Sequence, residues 1–301
     1  MSPLEIALGD YLAVRRAFGY CLQDVERHLV RFVSHLDANG IDTVTVAVAV
    51  GWATSTATAS TAKDRVSAIR GFTRYLQALD PAHEVLPRGV VPGRVTRAVP
   101  HLYSEDDITA LMAAARSLQP APWATTVEMV IGLLWATGMR VGEVFRLNVD
   151  DFAPDDHVLT VWLSKFGKSR LVPLSASTSA ALDRYRRTVA HRATGVLFAA
   201  PDPRRSAQTR FNRDFTRLLD STGITARVGR RPRAYDLRHS FAVRTLLGWY
   251  RDGADVQALL PRLSTYLGHV EPRSTYWYLS AAPELMALAA ERLERHDGAV
   301  R

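Results

Sequence analysis

Residues 81–102 constrain the fold more than any other stretch. They carry Pro81, Pro87, Pro92 and Pro100 with Gly89 and Gly93, and the apolar periodicity seen on either side stops there. Proline fixes φ and has no backbone N–H, so a run this rich in proline and glycine can be neither a helix interior nor a central strand. Arg88, Arg94 and Arg97 lie in the same stretch. The reading is an extended basic linker over 86–102, between a helical unit at 1–85 and a larger unit at 103–301. A surface loop within one domain is the other reading. A chain of 301 residues has room for two units of ~100–200 residues each.

Before the linker, apolar residues recur at helical spacing. Leu4, Leu8, Tyr11, Leu12 and Phe18 lie near one face of a first segment. Val25, His28, Leu29, Phe32, Val33 and Leu36 form a second, closed near Gly40. Thr43 to Ala53 is rich in β-branched residues and could be a strand, but its helical surroundings favour a short helix. Thr61 to Leu79 is a further helix, with Val66, Ile69, Phe72 and Leu76 on one face and Lys63, Arg65 and Arg70 off it.

After the linker, Ser104-Glu105-Asp106-Asp107 resembles a capping box. An apolar helix follows over about Trp123 to Thr137 and is stopped by Gly138. A short helix begins at Arg140. Two alternating segments, His157 to Leu163 and Arg170 to Leu174, with Phe166-Gly167 between them, read as a β-hairpin. Helices are expected at roughly 176–191, 206–222, 236–250, 254–267 and 282–295. The fold class is therefore mainly α with a small antiparallel β-sheet, an α+β unit preceded by an all-α one.

Composition narrows the function. The longest apolar runs, such as Val130 to Ala136, fall far short of the ~20 residues of a membrane span. The N-terminus lacks signal-peptide features, and Cys21 is the one cysteine. A cytoplasmic protein is expected. The net charge is +8, with 11 basic and 9 acidic residues before residue 98 and 27 and 21 from there on. Such an excess suits a polyanionic partner. Only three of the 38 basic residues are lysines, Lys63, Lys165 and Lys168. Arginine bias in a GC-rich genome accounts for the arginines, and against it two lysines three residues apart stand out.

Four segments carry chemistry jointly. They are Ala136-Thr137-Gly138-Met139-Arg140-Val141-Gly142-Glu143, Lys165-Phe166-Gly167-Lys168-Ser169-Arg170-Leu171-Val172-Pro173-Leu174, Tyr235-Asp236-Leu237-Arg238-His239, and Leu267-Gly268-His269 with Tyr278 nine residues further on. In this order they resemble the tyrosine recombinase, or phage integrase, family. That family has an arginine after a TG turn, a hairpin lysine, an H-x-x-R-H box, an LGH box and a tyrosine. The resemblance covers about 103–280, and the N-terminal helices are similar to the family's core-binding domain.

The resemblance implies a site-specific recombinase or integrase, of the kind mobile elements use, that cleaves and rejoins DNA through a covalent 3′-phosphotyrosine. Arg140 and Arg238 would stabilise charge on the phosphate, since guanidinium is always charged and forms forked hydrogen bonds. Tyr278 would be the nucleophile, Lys165 the acid that protonates the leaving 5′-oxygen, and His269 a hydrogen-bond partner of the phosphate. Glu143, three residues after Arg140, would orient that arginine. Lys63, Arg65, Arg70, Arg94, Arg97 and Lys168 would contact the DNA backbone. Tyr276 and Trp277 read as core, and His239 as packing beside Arg238. No metal or other cofactor is implied, because the charge stabilisation falls to arginines.

One departure stands out. The first position of the H-x-x-R box is Tyr235, and a phenol donates a hydrogen bond but is a poorer proton shuttle near neutrality than imidazole. Partners implied are double-stranded DNA and three further copies of the chain, a homotetramer on paired sites, with a monomer possible when free. Leu285, Met286, Leu288, Ala289 and Leu293 form a C-terminal apolar stripe that would dock on a neighbouring copy or fold back on its own unit. A type IB topoisomerase-like enzyme and a catalytically silent DNA-binding protein remain as alternatives. A metal-dependent transposase would need an acidic triad, whereas Asp150, Asp151, Asp155 and Asp156 read as loop and turn residues.

Overall fold

The computed structural model describes residues 2–20, 22–55, 58–91, 99–162, 169–189, 195–202, 204–226, 230–269 and 275–278. The chain forms two compact units, Met1–Arg97 and Ala98–Arg301.

The first unit is built from α1 (Pro3–Ala17), α2 (Gln23–Ala38), α3 (Val46–Thr54) and α4 (Ala59–Leu79). Ser2 caps α1 through a reciprocal box with Glu5, and Thr45 starts α3 by accepting from the Val48 amide. The ambiguous stretch at 43–53 is thus helical from Val46 onward. Leu8, Leu12, Leu29, Phe32, Leu36, Ile69, Phe72 and Leu76 make the core. Burial of each of the larger ones, such as Phe32, contributes roughly 1.5–3 kcal/mol. Phe18, expected with them, is 76% exposed because α1 has ended and Phe18 caps it.

Residues 83–91 pack against the first unit. Leu86 is buried in this core, with Val90 and Val91 packed against it. The Val44 amide donates to His83 Nδ1 at 3.0 Å. Arg70 donates through Nε to the Leu86 carbonyl (2.9 Å) and through Nη2 to that of Pro87 (2.8 Å). A segment without secondary structure needs partners for its carbonyls, and an arginine fork supplies two.

The second unit contains α5 (Glu105–Ala115), α6 (Ala121–Thr137), α7 (Val141–Val144), β1 (Phe152–Ala153), β2 (Val158–Val161), β3 (Arg170–Pro173), α8 (Ala176–Val189), α9 (Ala207–Thr222), α10 (Asp236–Arg251) and α11 (Val256–Leu267). The expected capping box forms, with Ser104 accepting from the Asp107 amide and Asp107 accepting in return. α6 is central. Trp123, Val127, Val130, Ile131, Leu133 and Leu134 are buried on several of its sides, and it packs on α5, α8 and α10. A helix apolar all round must be covered on all sides.

The sheet is antiparallel in the order β1-β2-β3. β2 pairs β3 from Val158↔Pro173 to Val161↔Arg170, so Phe166-Gly167 falls in the connection, outside the described residues. β1 is a two-residue strand that the sequence pattern did not reveal, pairing Phe152↔Leu159 and Ala153↔Val158. Asp151 closes a 3-10 turn just before it and accepts from Trp162 Nε1 at 2.8 Å, which accounts for that acid as a turn residue. Among the described residues no helix is long and apolar enough to cross a membrane.

Candidate active site

Two glycines bring the site's elements together. Gly138 ends α6 with φ +61°, and a Cβ there would lie 2.5 Å from Cδ1 of Phe241 on α10. Gly268 ends α11 with φ +68°, and a Cβ there would lie 3.1 Å from Nη1 of Arg170. Both positions need the left-handed backbone and the missing side chain.

The end of α11 is the organising feature. The last carbonyls of a helix have no intrahelical donor and sit at the negative end of its dipole. Here three in succession accept from three arginines. Tyr266 accepts from Arg170 Nε at 2.8 Å, Leu267 from Arg238 Nη2 at 2.6 Å, and Gly268 from Arg140 Nη2 at 3.0 Å. The α6 terminus adds one more, with the Gly138 carbonyl accepting from Arg238 Nη1 at 2.9 Å. Arg140 from the TG turn and Arg238 from the third position of α10 are thereby brought to one place.

Glu143 completes this arrangement. Its side chain has no solvent exposure. It accepts from the Arg140 amide (3.0 Å) and Nη1 (2.7 Å), and from Arg170 Nη1 (3.1 Å) and Nη2 (2.7 Å). Burial alone would raise the Glu143 pKa. The hydrogen bonds and charge of Arg170, joined by the hydrogen bonds of Arg140, outweigh that and hold it at about 2. Arg238 is 1% exposed, and burial lowers its pKa, but a guanidinium starts so high that it stays charged. Its Nε has no hydrogen-bond partner among the described residues.

Tyr278 lies in a helical turn at 275–278 and is 2% exposed. Its ring stacks on His269 (5.9 Å, 25°) and meets the edges of His239 (5.3 Å) and Trp277 (5.8 Å). His269 Nδ1 and Thr275 Oγ1 are 2.8 Å apart, which sets the ring's orientation. Tyr276, expected in the core, is 54% exposed. Positions two apart on a helix point ~200° apart, so when Tyr278 faces inward Tyr276 faces out.

Tyr235 is 41% exposed and precedes α10, its ring 5.1 Å from that of His239. His239 is buried among Tyr235, Trp277 and Tyr278. Lys165, Lys168, Arg94, Arg97 and the C-terminal stripe lie outside the described residues.

On α4, two of the basic residues expected to face DNA are engaged within their own unit. Arg70 holds the two carbonyls described above, and the Arg65 guanidinium lies 4.6 Å over the Trp52 ring. Lys63 is half-buried.

Arg170 is the site residue that sequence reasoning missed. The signal was its strand register. Arg170 and Val172 share a face, and Val172 is buried while Leu171 between them is 63% exposed. A charge on the inward face of a strand implies a buried counter-charge.

A helical unit followed by a helical unit with one small antiparallel sheet, with two arginines and a tyrosine gathered at a helix end, defines an enzyme of the tyrosine recombinase class. The Phage integrase family model matches residues 102–284. An integrase/recombinase of Sinorhizobium fredii is 39% identical over 98% of both chains. The tyrosine recombinase XerD of Mycobacterium tuberculosis (strain H37Rv) is 30% identical over 89% of this chain and 90% of its own length. The Tn1549 transposon integrase, solved with transposon right end DNA, superposes with a TM-score of 0.65 at 15% identity, covering 96% of this chain and 98% of that one. The chain belongs to the phage integrase family.

Proposed function

We propose that this recombinase acts on double-stranded DNA at a specific site, with Tyr278 as nucleophile and Arg140, Arg238 and His269 around the scissile phosphate. The observation that carries the reading is the row of three carbonyls at the end of α11. It aims Arg140 and Arg238 from separate elements and is followed directly by His269, whose ring lies on Tyr278.

In the reaction the Tyr278 oxygen attacks phosphorus and gives up its proton to solvent water. The bond from phosphorus to the 5′-oxygen breaks, and that oxygen takes a proton from Lys165. The products are a 3′-phosphotyrosine diester and a free 5′-hydroxyl. Attack by a 5′-hydroxyl from another strand reverses these steps and rejoins DNA without ATP. Charge building on the non-bridging oxygens meets guanidinium groups already oriented by the protein, so little reorganisation is required at the moment of reaction. The Nε of Arg238, buried and without a hydrogen-bond partner among the described residues, is a donor for such an oxygen once the site opens. At 2% exposure Tyr278 is shielded, so attack requires its helical turn to open when DNA binds.

The +8 charge and the DNA-bound state of the Tn1549 integrase support a DNA partner. Exchange between two duplexes, each cut at two positions, needs four active sites and hence four copies of the chain, with the C-terminal stripe as the docking element.

A nicked suicide substrate, from which the 5′ fragment diffuses away, tests the reading. Wild type should accumulate a covalent protein–DNA band in excess EDTA, and Tyr276→Phe should do the same, whereas Tyr278→Phe should give none. A band that survives in Tyr278→Phe, or no band with wild type, overturns the proposal.

A further inference from the structure

Orienting Arg140 through a carboxylate raises an electrostatic difficulty. Glu143 holds the guanidinium in place by its Nη1 and backbone amide, but its negative charge, 2.7 Å away, cancels the positive charge meant for a phosphate. A pair of that kind is close to neutral when seen from a short distance. Arg170 removes the difficulty. Its guanidinium meets both oxygens of the same carboxylate in a fork, so the trio Arg140–Glu143–Arg170 has a net charge of +1. Glu143 is then saturated, with two donors on each oxygen.

Arg170 is also placed to couple elements. It is the first residue of β3, directly after the segment that carries Lys165 and Lys168. Its Nε holds the Tyr266 carbonyl, one residue before the carbonyl that holds Arg238 and two before the one that holds Arg140. The side chain is only 10% exposed and lies against Gly268 where any larger residue would press on it. All three of its guanidinium nitrogens already donate within the protein, which leaves none for a phosphate, whereas Arg238 keeps its Nε unpartnered.

Resting on the reading of Arg140 and Tyr278 above, we propose that Arg170 is a positioning residue for strand cleavage. It clamps Glu143 against Arg140, ties β3 to the end of α11, and leaves the trio a net positive charge for the scissile phosphate. It does not touch the substrate.

The test compares full-length wild type, Arg170→Ala, Arg170→Lys and Arg140→Ala on two nicked substrates. One has an ordinary phosphate at the cleavage position, and the other has a methylphosphonate, which is uncharged and demands less of the arginines. Unfolding midpoints and binding to a single half-site establish that each variant is folded and bound. Arg170→Ala should bind DNA within a factor of about 3 of wild type and cleave the phosphate about 100-fold more slowly, the loss typical of a displaced catalytic group. On the methylphosphonate the deficit should shrink to below about 10-fold, in parallel with Arg140→Ala, because both act on the same charge. Arg170→Lys should fall between wild type and Arg170→Ala, since one ammonium restores the charge but not the fork.

An equal loss on both substrates would make Arg170 a structural residue and overturn the proposal, as would an unimpaired Arg170→Ala. If Arg170→Ala does not fold, Arg170→Lys is judged by the same comparison of substrates. A wild type that forms no adduct would instead refute the reading of the site itself, so the two failures are told apart.

Discussion

Replacing Glu143 by glutamine keeps the shape of the side chain and removes its charge. Two guanidinium groups that are 21% and 10% exposed would then face a neutral amide, and one of the amide's two polar ends is a donor turned toward donors. The magnitude follows from the carboxyl's titration. A pKa lowered from 4.5 to about 2 is equivalent to about 3 kcal/mol of stability at neutral pH. Removal of one partner from a buried ion pair costs roughly 3–5 kcal/mol, so the two routes agree.

The sign of the pH dependence is determined. A depressed carboxyl contributes fully above its unfolded value and loses that contribution as pH falls toward its folded one. Urea unfolding of wild type and Glu143→Gln from pH 7 to pH 3 should therefore show a gap of about 3 kcal/mol above pH ~5 that narrows to about half of that by pH 3. A gap that does not change with pH would mean that the glutamine harms packing rather than charge, and the absence of a gap would refute the network as drawn. Cleavage should fall with it, because Arg140 loses its anchor.

Three further outcomes are expected. Lys165→Ala should lose cleavage of ordinary DNA and regain it on a substrate with a 5′-bridging sulfur, whose leaving group needs no proton; rescue of Lys168→Ala instead would shift the hairpin register. Tyr235→Phe should keep its unfolding midpoint, because the residue is 41% exposed, yet cleave about tenfold or more slowly in single turnover, one hydrogen bond to a charged group being worth roughly 1.5–3 kcal/mol; an unchanged rate would leave Tyr235 as packing on His239. Gly268→Ala should destabilise by about 1–2 kcal/mol, since it needs φ +68° and crowds Arg170, and should slow cleavage measured on the same nicked substrate; wild-type behaviour in both would show that the Arg170–Gly268 contact is dispensable.

Much of both units was legible because the signals are local. The box Ser104–Asp107 and the stop at Gly138 involve residues within a few positions of one another, and the apolar stripe of α2 repeats every turn. β1 escaped notice because two residues have no periodicity to display, and they are strand only by pairing with Leu159 and Val158. Residues 86–91 read as linker by composition, yet Leu86 is buried in the first unit's apolar core and its carbonyl is held by Arg70, sixteen residues earlier.

The order of motifs along the chain was sufficient to indicate a tyrosine recombinase, and it is the source of the proposal that Arg140, Arg238, His269 and Tyr278 form its site. A phosphate-cleaving chemistry restricts residue types, and residue types are visible in a sequence. How those residues are held was decided by tertiary structure alone. Arg140 meets the Gly268 carbonyl across 128 positions and Arg170 meets Glu143 across 27, and no local pattern encodes separations of that length. The same holds for Tyr278 over Tyr276. Both are phenols two residues apart, and only the packing of His239 and His269 determines which one faces inward.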